Sequence, residues 1–166
     1  MTKVSVEGFG WVYIVLVVDW YTTNIVGYYA GSPCTARHWL TALDMVVNRH
    51  FADGARGQDL GLMRDNGCQP TAVAVMKACT TLGIHPTFTS YHNPTGKADT
   101  ERMMRTLTEE GLWLQEWTSP VDLVRAFEAW VAYSNTHYLH SALGYKTPRQ
   151  FELAYQNSHS TPCVAA

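Results

Sequence analysis

The sequence predicts an α/β fold in which a mixed sheet is flanked by helices. Two observations carry that prediction. Near the start, two runs rich in β-branched and aromatic residues are separated by a short polar turn, which is a hairpin signature. Beyond them, short apolar runs alternate with segments of helical periodicity, as in strands joined in parallel through helices. The chain has 166 residues, enough for one domain with its own core. Its 46% hydrophobic and 16% charged residues place it among globular chains and exclude a disordered one.

Residues 11–18 (W-V-Y-I-V-L-V-V) form a continuous apolar run, predicted as a central strand buried on both faces. Residues 19–24 are a turn, and residues 25–30 (I-V-G-Y-Y-A) return as the second strand of the hairpin. Gly31, Ser32 and Pro33 break the chain. Thr35 then caps a helix to about Phe51, with Trp39, Leu43, Val46 and Val47 at helical spacing. After a loop at 52–57, residues 60–63 make a short strand that delivers Asp65 to its end. Residues 71–82 form a helix stopped by Gly83, and residues 86–90 an edge-like strand. The segment 91–97 is polar and contains Asn93-Pro94 and Gly96, so it is predicted as a mobile loop. A helix follows from Ala98 or Asp99 through Leu114. Ser119 caps the next, with Pro120 at its first position, covering 121–133. Residues 140–145 are a turn, and Thr147-Pro148 opens a last short helix ending near Tyr155. The predicted domain covers residues 1–156, and residues 157–166 form a flexible tail.

Composition narrows the function classes. The longest early apolar run is far too short to span a bilayer, so no membrane association is expected. The four cysteines (Cys34, Cys68, Cys79, Cys163) lack a C-x-x-C pair or regular spacing, and no signal peptide is expected. Both point to free thiols in a reducing cytosol. The net charge of −2 counts mildly against nucleic-acid binding. Charge is uneven, however: residues 92–106 hold Lys97, Arg102 and Arg105, and a site acidic at its centre with a local basic rim would leave little trace in the total.

The two residues with most to say about chemistry are Asp65, at the end of a predicted strand, and Glu101, where a polar loop turns into a helix. Thirty-five residues lie between them. Two carboxylates brought together this way suit a divalent-metal site for phosphoryl transfer, because hard cations such as Mg²⁺ take oxygen ligands. Each also has a plainer role. D-N-G is a common turn, and a glutamate in a first helical turn is favoured by the helix dipole. Asp99 fills that dipole role better.

Three motifs extend the pattern: R-D-N-G at 64–67, Y-H-N-P-T-G-K-A-D-T-E-R at 91–102, and H-S-A-L-G-Y-K-T-P at 140–148. Together, in this order, they resemble the integrase core of bacterial insertion-sequence transposases, the DDE-type relatives of retroviral integrases. The resemblance reaches to about Tyr155. It implies a ribonuclease-H-like fold and DNA integration by Mg²⁺- or Mn²⁺-dependent polynucleotidyl transfer. Asp65 and Glu101 would then be catalytic metal ligands, separated by the interval that marks this group. It implies DNA contacts from Asn93, Lys97, Arg102 and Arg105, with transposon ends and target DNA as partners. It also implies a homo-oligomer, a bacterial cytoplasmic location and no small-molecule substrate.

The family's first carboxylate lies on its first strand, and nothing in residues 2–6 matches it. The resemblance places that Asp immediately upstream of Met1, implying a core truncated within its first strand and weakly active or inactive. Asp19 matches a family turn residue that is not a ligand, and Glu7 matches neither position. The family carries Lys or Arg seven residues after the catalytic Glu, where this chain has Thr108. Alternative readings are a non-catalytic DNA-binding or dimerising remnant that modulates a full-length transposase, and an unrelated nuclease of the same fold. The 140–148 motif argues against the nuclease. Arg105 suits either a phosphate contact or an ion pair with Glu101 or Glu109. His137 and His140 are expected to pack and hydrogen-bond, since no cysteine or carboxylate joins them at zinc-ligand spacing.

Overall fold

Alternation along the first strands decides which side of the molecule becomes its core. In the computed structural model, which describes residues 1–33, 35–64, 69–88 and 95–159, β1 (Thr2–Val6), β2 (Gly10–Val18) and β3 (Ile25–Gly31) form an antiparallel sheet in the order β1-β2-β3. Val4 pairs with Val12 and Thr2 with Ile14. One face thus carries Val4, Val6, Val12, Ile14 and Leu16, all buried. The expectation that β2 is buried throughout fails at its start. Trp11 is 47% exposed and lies under the Lys3 ammonium, 4.3 Å from its ring centroid, a cation–π contact across the hairpin.

The opposite face of the hairpin meets α1 (Ala36–His50). Gly27 makes that approach possible: a Cβ there would overlap the Ala42 carbonyl oxygen and lie 2.6 Å from Val46 Cγ2. Tyr29 stacks on His38 with ring centroids 4.1 Å apart, and the Thr35 amide donates to His38 Nδ1 at the helix start.

The second unit of structure is the parallel pair β4 (Gly61–Arg64) and β5 (His85–Phe88), joined through α2 (Gln69–Leu82). α1, α2 and this pair enclose a smaller core of Leu43, Ala55, Val75, Cys79 and Ile84. Among the described residues the strands form two ladders, one antiparallel and one parallel, the two kinds of pairing that the predicted mixed sheet combines. The outer edge of β1 is engaged elsewhere at its far end: Val6 forms a parallel bridge with Trp117, whose carbonyl accepts from the Glu7 amide at 2.7 Å.

The main core is closed by α3 (Thr95–Thr106), a π-helical turn (Leu107–Leu112) and α4 (Pro120–Thr136). Ser119 caps α4 by accepting from the Asp122 amide, and Leu123, Phe127 and Val131 face inward at helical spacing. Asn135 fastens α4 to β3 by bonding both backbone groups of Ile25, at 2.9 and 3.0 Å. A 3₁₀ turn (Ser141–Leu143) leads to α5 (Pro148–His159), which runs past Asn157, where the sequence suggests a tail. Tyr21 packs edge-on against Phe151 and Tyr155, tying the β2–β3 turn to this last helix.

Candidate functional site

Glu101 sits on the solvent side of α3. Met103 and Leu107 are buried beneath the helix, whereas Glu101, Arg102 and Arg105 are exposed. Glu101 and Arg105 are one helical turn apart and share a face. Among the described residues no ion pair joins Arg105 to Glu101 or to Glu109, so the surface-pair reading of Arg105 is not realised. The helix begins at Thr95, earlier than the Ala98 or Asp99 start the sequence suggests. Lys97 therefore belongs to the first helical turn and not to a loop.

The other half of the predicted site follows the parallel pair in sequence. Arg64 and Phe88 are register partners at the C-terminal ends of β4 and β5. Ligand chemistry in sheets of this kind gathers at those strand ends. Asp65 follows Arg64 directly in sequence. Asp65, Asn93 and the motif residues 65–68 and 91–94 lie outside the described residues. Among the described residues no group of three or more His, Cys, Asp or Glu side chains is arranged to hold a metal ion.

The helix bearing Glu101 does not continue as a straight α-helix to Leu114. After Thr106 it widens into the π-helical turn, where the Trp113 amide donates to the Thr108 carbonyl five residues back, at 2.8 Å. Leu107 and Leu112, five apart, both point into the core. Thr108 turns inward with them, 5% exposed, and its hydroxyl donates to the carbonyls of Met104 and Arg105, both at 3.0 Å. Position 108 would share the face of Glu101 in an uninterrupted α-helix. The wider turn removes it from that face. Gly111 closes the turn against the Trp130 ring, where a Cβ would lie 2.8 Å from Cδ1. The five-residue leucine interval in L-T-E-E-G-L was the available sequence signal for this turn.

The other candidates have structural roles. Asp19 accepts from the Tyr21 amide (3.1 Å) and the Thr22 hydroxyl (2.7 Å), as a turn aspartate should. His137 stacks on Tyr133 with an interplanar angle of 3°. His140 Nε2 is buried without a hydrogen-bond partner, and burial pushes its pKa below the ordinary imidazole value. A groove between β1 and residues 112–117, walled by Trp11 and Trp113, contains none of the candidate site residues.

Comparison with known proteins places these features. Residues 82–148 match the family model described as Integrase core domain. No curated protein matches the chain. The crystal structure of the catalytic core domain of BIV integrase is similar, with 20% identity and a TM-score of 0.65 over 97% of this chain and 96% of that one. A chain of the simian T-cell lymphotropic virus intasome, solved by cryo-electron microscopy with the PP2A regulatory subunit B56 gamma, is also similar. It has 17% identity and a TM-score of 0.62 over 99% of this chain. This chain spans about half of that one, 54%. At such identities the structural likeness establishes the fold, which is the ribonuclease-H-like α/β fold of integrase catalytic cores.

Proposed function

We propose that the chain belongs to the retroviral integrase and transposase superfamily and derives from a DNA transposase, a reading supported by the integrase core domain match and by the fold of integrase catalytic cores. In this reading it is an integrase-type domain. In the proposed reading its substrates are the ends of a bacterial insertion sequence and target DNA in the cytoplasm, where it acts as a homo-oligomer. The observation that carries this reading is the exposed Glu101, unpaired on the solvent face of α3, in a chain whose β4 runs directly into Asp65.

The donor chemistry fits a hard divalent cation, Mg²⁺ or Mn²⁺. Glu101 offers carboxylate oxygens that no cation of the described residues occupies, and Asp65 supplies a second carboxylate. Such an ion, when bound, lowers the barrier to attack on a phosphodiester by stabilising negative charge on oxygen. The chain's own residues have complementary parts. Glu101 and Asp65 would hold the ion through their carboxylate oxygens. Arg105, one turn along the helix, offers a guanidinium to a phosphate oxygen, and Arg102, Lys97 and Asn93 position the strand.

Thr2–Val6 contains no carboxylate, and among the residues of this sequence Asp65 and Glu101 are the two acids that match the family's pattern. We therefore propose weak or absent strand transfer by the isolated chain. The same observation favours a second role, as a DNA-binding or dimerising partner that modulates an intact transposase.

Calorimetric titration with Mn²⁺ tests the site directly. Wild type should bind, and Glu101→Gln and Asp65→Asn should each weaken binding by roughly tenfold or more. Affinity unchanged in both variants would remove these residues from any metal site. Strand-joining on duplex oligonucleotides at the level of an intact relative would refute the proposed weakness.

A further inference from the structure

We propose that the loop between α4 and α5, together with the first turn of α5, is a second DNA contact, gripping the phosphodiester backbone through Lys146, Arg149 and Tyr145. The inference rests on the DNA-directed function proposed above and concerns residues outside its metal site. From Glu128 to Glu152 the sequence has no acidic residue, yet it carries Lys146 and Arg149 in a chain of net charge −2. Both cations are exposed, and among the described residues neither has a carboxylate partner. Cations without a carboxylate partner, in a segment without acids, favour a polyanion.

The loop is built to hold its shape. Leu143, Thr147 and Pro148 are buried, anchoring it to the body. The His140 amide donates to the Lys146 carbonyl (3.1 Å), and the Leu143 and Tyr145 amides donate to the His140 carbonyl (3.0 and 2.9 Å). Thr147 and Gln150 bond reciprocally, each side chain accepting from the other's amide. On this frame Gly144 is left-handed, and Tyr145 follows at φ +58° with 73% of its surface exposed. A bulky residue is disfavoured there, and an exposed ring recovers little of that cost through packing. Glycine would serve the backbone better. A tyrosine held in this conformation between Gly144 and Lys146 presents a ring and a hydroxyl to whatever the cations bind. A phosphate backbone accepts all three groups.

The test uses the full chain and a fluorescently labelled duplex of random sequence, with anisotropy followed across a salt series. The double variant Lys146→Ala with Arg149→Ala should weaken binding roughly tenfold and reduce the slope of log affinity against log salt by about 2. A control with equal charge loss, Arg49→Ala with Lys77→Ala, should leave the slope near wild type. Tyr145→Gly should weaken DNA binding while keeping or raising the thermal midpoint, a combination that a purely structural tyrosine would not give. An unchanged slope in the loop double variant overturns this inference and leaves the proposed function standing, because Mn²⁺ binding through Glu101 reports on that separately. A polyglutamate peptide bound as tightly as DNA, with the same loss in the double variant, would also overturn it by assigning the loop to an acidic protein.

Discussion

Trp117→Phe should be among the more damaging single substitutions, although Trp113, four residues earlier, should be dispensable. Trp117 is 6% exposed, and its indole Nε1 donates to the Leu112 carbonyl at 2.7 Å. That carbonyl ends the π-helical turn, where backbone acceptors lack partners within the helix. Phenylalanine has no donor, so a buried acceptor is left unsatisfied, at a cost of about 1–3 kcal/mol. The smaller ring also leaves a void, adding about 1 kcal/mol at ~24 cal/mol per Å³. The backbone bridge from Trp117 to β1 persists, so no further term enters. The expected loss is about 2–4 kcal/mol, a fall of roughly 1–2 M in the urea midpoint for an m-value near 2 kcal/mol/M. Trp113 is 64% exposed, and Trp113→Phe should shift the midpoint by less than about 0.3 M. Urea unfolding followed by far-ultraviolet circular dichroism measures both. Equal midpoints for the two variants would refute the assignment of Trp117 as the cap of this turn.

Other expectations follow from single groups. Asp19→Ala removes two acceptors from the β2–β3 turn and should cost about 1 kcal/mol in urea unfolding, with Mn²⁺ affinity unchanged; a lost affinity would return Asp19 to the metal site. His140 should make stability fall on acidification. Its folded pKa lies below the ordinary 6.5, so the unfolded chain takes up a proton that the folded one resists. The contribution is complete above 6.5 and is lost as pH falls from there toward the lowered folded value. His140→Asn should flatten that part of the profile of urea midpoint against pH, and a profile parallel to wild type would exclude the assignment. Glu101→Gln should leave stability within about 0.5 kcal/mol of wild type while weakening Mn²⁺ binding, since the side chain is exposed and unpaired.

Much of the fold was legible because its signals are local. The β-branched and aromatic runs of β2 and β3, the capping residues Thr35 and Ser119, and the glycine after α2 each act within a few residues of where they stand. The π-helical turn was not legible, because periodicity over 98–114 fits an α-helix nearly as well. What selects the wider turn is contact: Gly111 against Trp130, and the indole of Trp117 on the Leu112 carbonyl. Exposure of Trp11 was likewise hidden, since an apolar run does not say where its covering helix stops.

By itself, the sequence supplied the grounds for the proposed class of chemistry. Two carboxylates at a set interval, with flanking motifs, are a property of the order of residues, and no folding is needed to see it. Tertiary structure decided which side chains are available to perform it. Packing of Met103 and Leu107 into the core turns Glu101 and Arg105 outward, and the π-helical turn withdraws Thr108 from their face. The hydrogen bonds of a tight turn occupy Asp19. The physical reason is that a side chain's reach is set by the helix phase and the buried face opposite it, and both depend on residues distant in the chain.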